Sequence, residues 1–107
     1  MRVVDGEAIA IGPGKIALLE ALGETHSISA AAKALGMSYR RAWLLVDELN
    51  RSLKSPAVAS ATGGQRGGGS ELTPAGRQLI AVYRQIESDA LSACQADIKK
   101  LMKMLAR

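Results

Sequence analysis

The spacing of apolar residues changes several times along this chain, and each change marks an element. Ala8–Ile11 is apolar and partly β-branched, which predicts a short strand, and Gly12, Pro13 and Gly14 then break it. Ile16, Leu18, Leu19 and Leu22 set the spacing of a first helix. Residues 23–27 read as a connection, in which Ser27, or Ser29 just beyond it, can cap a short second helix. Ala42, Leu45, Val46, Leu49 and Leu53 then gather on one face of a third helix, because their spacings of three and four follow the α-helical turn. Pro56 ends that region. Residues 57–61 can form a strand, with Ser70–Leu72 as its returning partner. Thr73 can cap a last helix and Pro74 suits its first turn, where a missing N–H costs nothing. Neither proline nor glycine follows Gly76, so this helix can run to about residue 106, roughly 45–50 Å at 1.5 Å per residue. The pattern predicts a mainly α fold with a small β hairpin.

Residues 28–50, ISAAAKALGMSYRRAWLLVDELN, hold the most informative stretch. Ala31 and Ala32 are small enough for a second helix to cross closely, Leu35 adds an apolar plug, and Gly36 supplies a helix-ending turn. Ser38 can then accept a backbone N–H bond and cap the next helix. Two short helices around a tight turn are the arrangement of a helix-turn-helix, whose second helix enters the major groove of DNA. On that second helix Arg40, Leu44, Asp47 and Arg51 point away from the apolar face, with Arg41 and Trp43 on its two flanks. An arginine fork can grip guanine O6 and N7, or a phosphate, through two hydrogen bonds. Ser29, Ser38, Tyr39, Arg40, Arg41, Trp43 and Leu44 are therefore candidate DNA-contacting residues. A solvated helix face with ordinary charges is the plainer alternative.

Between the two later strands lies TGGQRGGG, in which five of the seven residues 63–69 are glycine. A hairpin after a helix-turn-helix is a wing, and Arg66 at its tip can reach backbone phosphate or the minor groove. A phosphate-binding loop does not fit, because the Gly-Lys-Ser/Thr ending is missing. A plain disordered loop is the other reading. Along the last helix Leu79, Tyr83, Ile86, Ala90, Cys94, Ile98, Leu101 and Leu105 recur at steps of three or four and form one apolar stripe. A second copy of the chain is the simplest cover for that stripe, and a symmetric dimer presents two reading helices to a palindromic site. Folding back on the chain's own core is the alternative, which buries only the first half. The division expected is a winged helix-turn-helix over residues 1–73 and a dimerisation helix over residues 74–107.

Composition narrows the field. At 107 residues the chain is one small domain, and its formal charge of +4 suits an anionic partner without demanding one, since ten acids interleave with fourteen bases. Three aromatic residues are too few for stacking single-stranded nucleic acid, so duplex DNA fits better. The single cysteine cannot form an intramolecular disulfide, and no apolar run reaches about twenty residues, which together point to a cytoplasmic protein with no membrane partner. Cys94 reads as a small buried hydrophobe, or as an intersubunit disulfide if two such helices cross near it. His26 has no ligand-spaced companion, no metal or other cofactor is called for, and no nucleophile–base grouping suggests an enzyme. Lys99, Lys100, Lys103 and Arg107 make a solvated basic helix end. Trp43 and Leu44 would serve a protein contact as well as DNA, so a winged-helix protein–protein adaptor is the competing class.

Three segments carry a family resemblance: GPGKIALLEAL, SISAAAKALGMSYRRAW and GGQRGGGSELTPAGRQLI. In this order they resemble the N-terminal DNA-binding domain of the ModE-type molybdate-responsive regulators, a winged-helix group related to LysR-type DNA-binding domains. The resemblance spans residues 12–83. It implies a winged-helix transcription factor dimerised through helices, with Ser38, Tyr39, Arg40 and Arg41 opening the reading helix, Trp43 within it, and residues 63–69 as the wing. Family members that sense molybdate do so in a C-terminal region of small β-barrels. No molybdate site is visible in this sequence, which is similar to the short, stand-alone members.

Overall fold

The computed structural model describes residues 1–5, 8–60 and 69–106. The order of elements is β1 (Val3–Asp5), β2 (Ala8–Ile11), α1 (Pro13–Thr25), α2 (Ile28–Ala34), α3 (Tyr39–Ser52), β3 (Val58–Ser60), β4 (Ser70–Leu72), α4 (Pro74–Ala93) and α5 (Gln95–Lys103). β1 and β2 form one antiparallel pair, and β3 and β4 form another in the register Val58↔Leu72, Ala59↔Glu71 and Ser60↔Ser70. This is a winged helix-turn-helix, mainly α, as the apolar spacing predicts.

Local chemistry accounts for most boundaries. The Ser27 hydroxyl accepts from Ala30 N–H and the Ser38 hydroxyl from Arg41 N–H, each at 3.1 Å, while Thr73 Oγ1 accepts from Gly76 N–H at 3.0 Å. All three satisfy amides that a helix start otherwise leaves without partners. Gly36, with φ of +68°, makes the left-handed turn between α2 and α3, where a side chain would be strained.

Four boundaries differ from expectation. Gly12, Pro13 and Gly14 do not only end β2: Gly12 is the extended N-cap and Pro13 the first residue of α1. α1 also runs through Gly23, which was expected in a connection, and stops at His26, whose left-handed backbone sends its N–H to Leu22 O at 2.8 Å. A Cβ on Gly23 would stand 3.0 Å from Leu72 Cδ1, so the missing side chain makes room for β4 against α1. Third, β1 is a strand that the pattern did not single out. Last, the long helix is interrupted at Cys94, which closes α4 through a bond to Ala90 O and opens α5 by accepting from Ile98 N–H.

Ile16, Leu18, Leu19 and Leu22 of α1, Ala31 and Ala32 of α2, Ala42, Val46 and Leu49 of α3, Ala57, Val58 and Tyr83 form the core. Burying each Leu or Ile there is worth about 1.5–3 kcal/mol relative to exposure. Ala31 and Ala42 are fully buried, and their small size lets α2 cross α3 closely. The start of α4 closes this core from the other side. Thr73 N–H donates to Ala57 O at 2.9 Å, and a Cβ placed on Gly76 would lie only 2.2 Å from that same oxygen. Glycine at position 76 is therefore a steric requirement of seating α4.

Candidate nucleic-acid interface

α3 buries one side and presents the other. Ala42, Val46 and Leu49 face the core, and Leu45 and Leu53 pack partly against it. Tyr39, Trp43 and Leu44 are 56%, 47% and 42% exposed, and Arg40 and Arg41 are exposed beside them. Tyr39, Arg40, Trp43 and Leu44 line one open concavity of about 460 Å³. Trp43 also borders a smaller hollow of about 160 Å³ shared with Ile28 of α2, Asn50 of α3, and Val58, Ser60 and Ser70 at the base of the hairpin. On the opposite flank Arg41 lines a groove of about 720 Å³ with Arg2, the Gly12–Pro13–Gly14 start of α1, Lys15, Glu48 and Arg51. The two arginines at the head of α3 thus serve different sides of the helix, Arg40 the outward face and Arg41 the α1 side.

Charge pairing separates these arginines from Arg51, Lys15 and Arg84. Arg51 pairs with Asp47 at 3.0 Å, Lys15 with Glu48 at 3.3 Å, and Arg84 with Glu20 and Glu87 at 2.6 and 2.7 Å. Among the described residues, no acid lies within ion-pair distance of Arg40 or Arg41. Their charge is left for something outside the fold, at the head of a helix whose outer face is open. Arg84 grips Glu20 through Nε and Nη2 and holds that carboxyl below the usual carboxylate range, while the two carboxylates raise Arg84 further still. That cluster fastens α4 to α1 and lies outside the interface.

The hairpin is fixed to α3 by one side chain that the sequence pattern gave no reason to single out. Asn50 Oδ1 accepts from Ala57 N–H at 2.9 Å and Val58 N–H at 3.2 Å, and Nδ2 donates to Val58 O at 3.1 Å. Ser70 N–H donates to His26 O at 3.1 Å, tying the returning strand to the end of α1. The wing base therefore sits in a set position beside Trp43. Arg66 and the glycine-rich tip lie outside the described residues.

The remaining sequence-derived residues divide by location. Ser29 is exposed in the first turn of α2, and Ser38 spends its hydroxyl on the α3 cap. Of the apolar stripe, Tyr83 is 2% exposed and donates its hydroxyl to Met1 O, and Leu79 packs partly against the core, so both are engaged within the chain itself. Ile86, Leu101 and Leu105 are 45%, 60% and 50% exposed, Ala90 is exposed, and Ile98 is half-buried. Cys94 is exposed, not buried as its place on the stripe suggested, because α4 has left the core by that point. Among the described residues, no helix is long and apolar enough to cross a membrane.

Residues 14–77 match the family model of the bacterial regulatory helix-turn-helix proteins of the lysR family. The chain belongs to that family. The match covers α1, the helix-turn-helix, the hairpin and the start of α4. Within the family the chain is similar to the molybdenum-pterin-binding protein MopB of Rhodobacter capsulatus, 48% identical over 80% of this chain and 32% of that protein. It is 40% identical to the molybdenum transport protein ModE of Azotobacter vinelandii, over 78% of this chain and 31% of that one. With the DNA-binding transcriptional dual regulator ModE of Escherichia coli K12 it shares 39% identity over 79% of this chain and 34% of the relative. The ModE-type resemblance read from the three sequence segments is borne out. The chain spans about a third of the length of these relatives. A crystal structure of a CbnR_DBD–DNA complex matches with a TM-score of 0.64 at 22% identity, covering 87% of this chain and 99% of that one, and supports the fold.

Proposed function

We propose that this chain is a sequence-specific, double-stranded DNA-binding transcriptional regulator that binds a palindromic operator as a homodimer. The observation that carries this is the pair Arg40 and Arg41, exposed and without acidic partners among the described residues, at the head of a helix whose opposite face is locked in the core. Arg40, on the outward face, reaches base edges in the major groove. Arg41, on the flank toward α1, meets the phosphate backbone, and Ser29 of α2 approaches the same strand. The hairpin lies alongside as a wing, with Arg66 as its phosphate or minor-groove contact. A role on chromosomal DNA is cytoplasmic and non-catalytic.

Dimerisation is assigned to the second half of α4 together with α5. Ile86 and Leu91 on α4, Leu101 and Met102 on α5, and Leu105 just past its end leave more large apolar surface than a lone surface helix carries. A second copy covering it supplies the two-fold axis that a palindrome needs. In the division into residues 1–73 and 74–107, α4 as far as Tyr83 also serves the core, and the dimer arm proper begins beyond it.

A titration of duplex DNA at several salt concentrations tests the assignment. Affinity should fall steeply as salt rises, because each neutralised phosphate releases counterions. Undetectable duplex binding at low salt would instead favour a protein–protein adaptor, for which Trp43 and Leu44 would be the anchors.

A further inference from the structure

The outward face of α3 carries an apolar facet where an ordinary solvated helix carries polar groups. Tyr39, Trp43 and Leu44 expose about half of their surface, and the three line one concavity with Arg40. Leu44 follows Arg40 by one helical turn on the same ridge, so the two side chains stand about 5–6 Å apart along the helix, close to the rise of one to two base pairs. A duplex gripped by Arg40 must therefore cover Leu44, and Trp43 beside it.

Burying those side chains against polar base edges gains nothing, and it strips water from carbonyl and amino groups that then have no partner. One base offers an apolar surface in the major groove, thymine, through its C5-methyl group. We infer that Leu44 and Trp43 read thymine methyl groups and so set sequence preference at positions next to the one contacted by Arg40. This deepens the DNA-binding reading and rests on it. The facet is continuous with Arg40, which has no acidic partner among the described residues, and this favours DNA over a second copy of the chain or a protein ligand as its occupant.

The test uses the full chain and a duplex that it enriches from a randomised library. Each thymine is replaced singly by deoxyuridine, which keeps every hydrogen-bonding group and removes only the methyl. At one or two thymines in each half-site the replacement should weaken binding about fourfold, the worth of one methyl-sized apolar group removed from water. The same replacement should cost Leu44→Ala or Trp43→Ala little at the affected position. Arg40→Ala should bind more weakly throughout yet keep the full methyl effect. Leu44 is on the surface, so its truncation leaves the core intact. If a duplex is enriched and bound but no deoxyuridine replacement matters, the methyl assignment fails while DNA binding stands. A methyl effect undiminished in both Leu44→Ala and Trp43→Ala overturns it as well. If no duplex is enriched and binding shows no salt dependence, the DNA-binding reading fails and takes this inference with it.

Discussion

Replacing Asn50 by alanine should unfasten the wing from the reading helix at a cost that the hydrogen bonds set. Its side chain holds three backbone groups of β3 and the residue before it: Ala57 N–H, Val58 N–H and Val58 O. Ala57 is fully buried and Val58 nearly so, so water replaces these partners poorly. A buried polar group left without a partner costs about 1–3 kcal/mol, and the small hollow beside Val58 admits some water. The total for Asn50→Ala is about 2–4 kcal/mol, which for a domain of this size lowers Tm by roughly 10–20 °C. Asn50→Asp keeps both acceptor contacts, loses the donation to Val58 O, and sets a negative charge beside that oxygen. It should fall between the wild type and the alanine variant. Circular dichroism melts at one fixed protein concentration measure this, since a dimer's Tm depends on concentration. An alanine variant melting within about 3 °C of wild type, or an aspartate variant no better than alanine, would refute the claim that these bonds hold the wing.

Gly76→Ala places a methyl group 2.2 Å from Ala57 O, so α4 must shift or the strand must yield; we expect a loss of about 2–3 kcal/mol, typical of forced overpacking, read as a lower urea midpoint with an unchanged m-value. The carboxyl of Glu20 is held below its ordinary pKa by Arg84, so its contribution is present above the unfolded-state pKa and fades as pH falls through the lower folded value. The Tm gap between wild type and Glu20→Gln should therefore be a few degrees at pH 6 and shrink as pH falls below the ordinary carboxylate range; a gap that widens in acid contradicts the assignment. Leu101→Glu should convert the proposed dimer to monomer in light scattering while leaving the melting of the helix-turn-helix core in place, and a wild-type chain that is monomeric at micromolar concentration would remove α5 as the seam.

Features written into short segments were legible from residues alone. Ser27, Ser38 and Thr73 cap the helices they precede, because a hydroxyl one residue before a helix has a local amide to accept from. Ala42, Val46 and Leu49 are core because a 3.6-residue period admits only one buried face. What the pattern missed depends on partners distant in sequence. Gly23 reads as part of a connection until Leu72 is seen to need its space, and no local spacing shows that Ala57 O presses against Gly76. Lys15 is only 8% exposed because Glu48 of α3 receives its ammonium, a pairing across 33 positions that no local spacing announces. Asn50 falls in the same class, its acceptors and donor meeting a strand eight residues on. At the site, periodicity places Arg40 and Leu44 on the outer face and Arg41 and Trp43 on its flanks, but not the concavity that Trp43 shares with Arg40 or the groove that Arg41 lines beside α1. The apolar repeat puts Tyr83 on the dimer stripe because a helical period cannot tell which of its turns still touches the chain's own core.

On the function proposed, the head of α3 grips duplex DNA through Arg40 and Arg41, which have no acidic partner among the described residues. Affinities of wild type, Arg40→Ala and Arg41→Ala for an enriched duplex and for random-sequence duplex, each across a salt series, test it most directly. Arg40→Ala should lose about 1–3 kcal/mol on the enriched duplex and much less on random DNA. Arg41→Ala should lose similarly on both, with a salt slope shallower by about one. Wild-type affinities left unchanged by both substitutions would contradict the account.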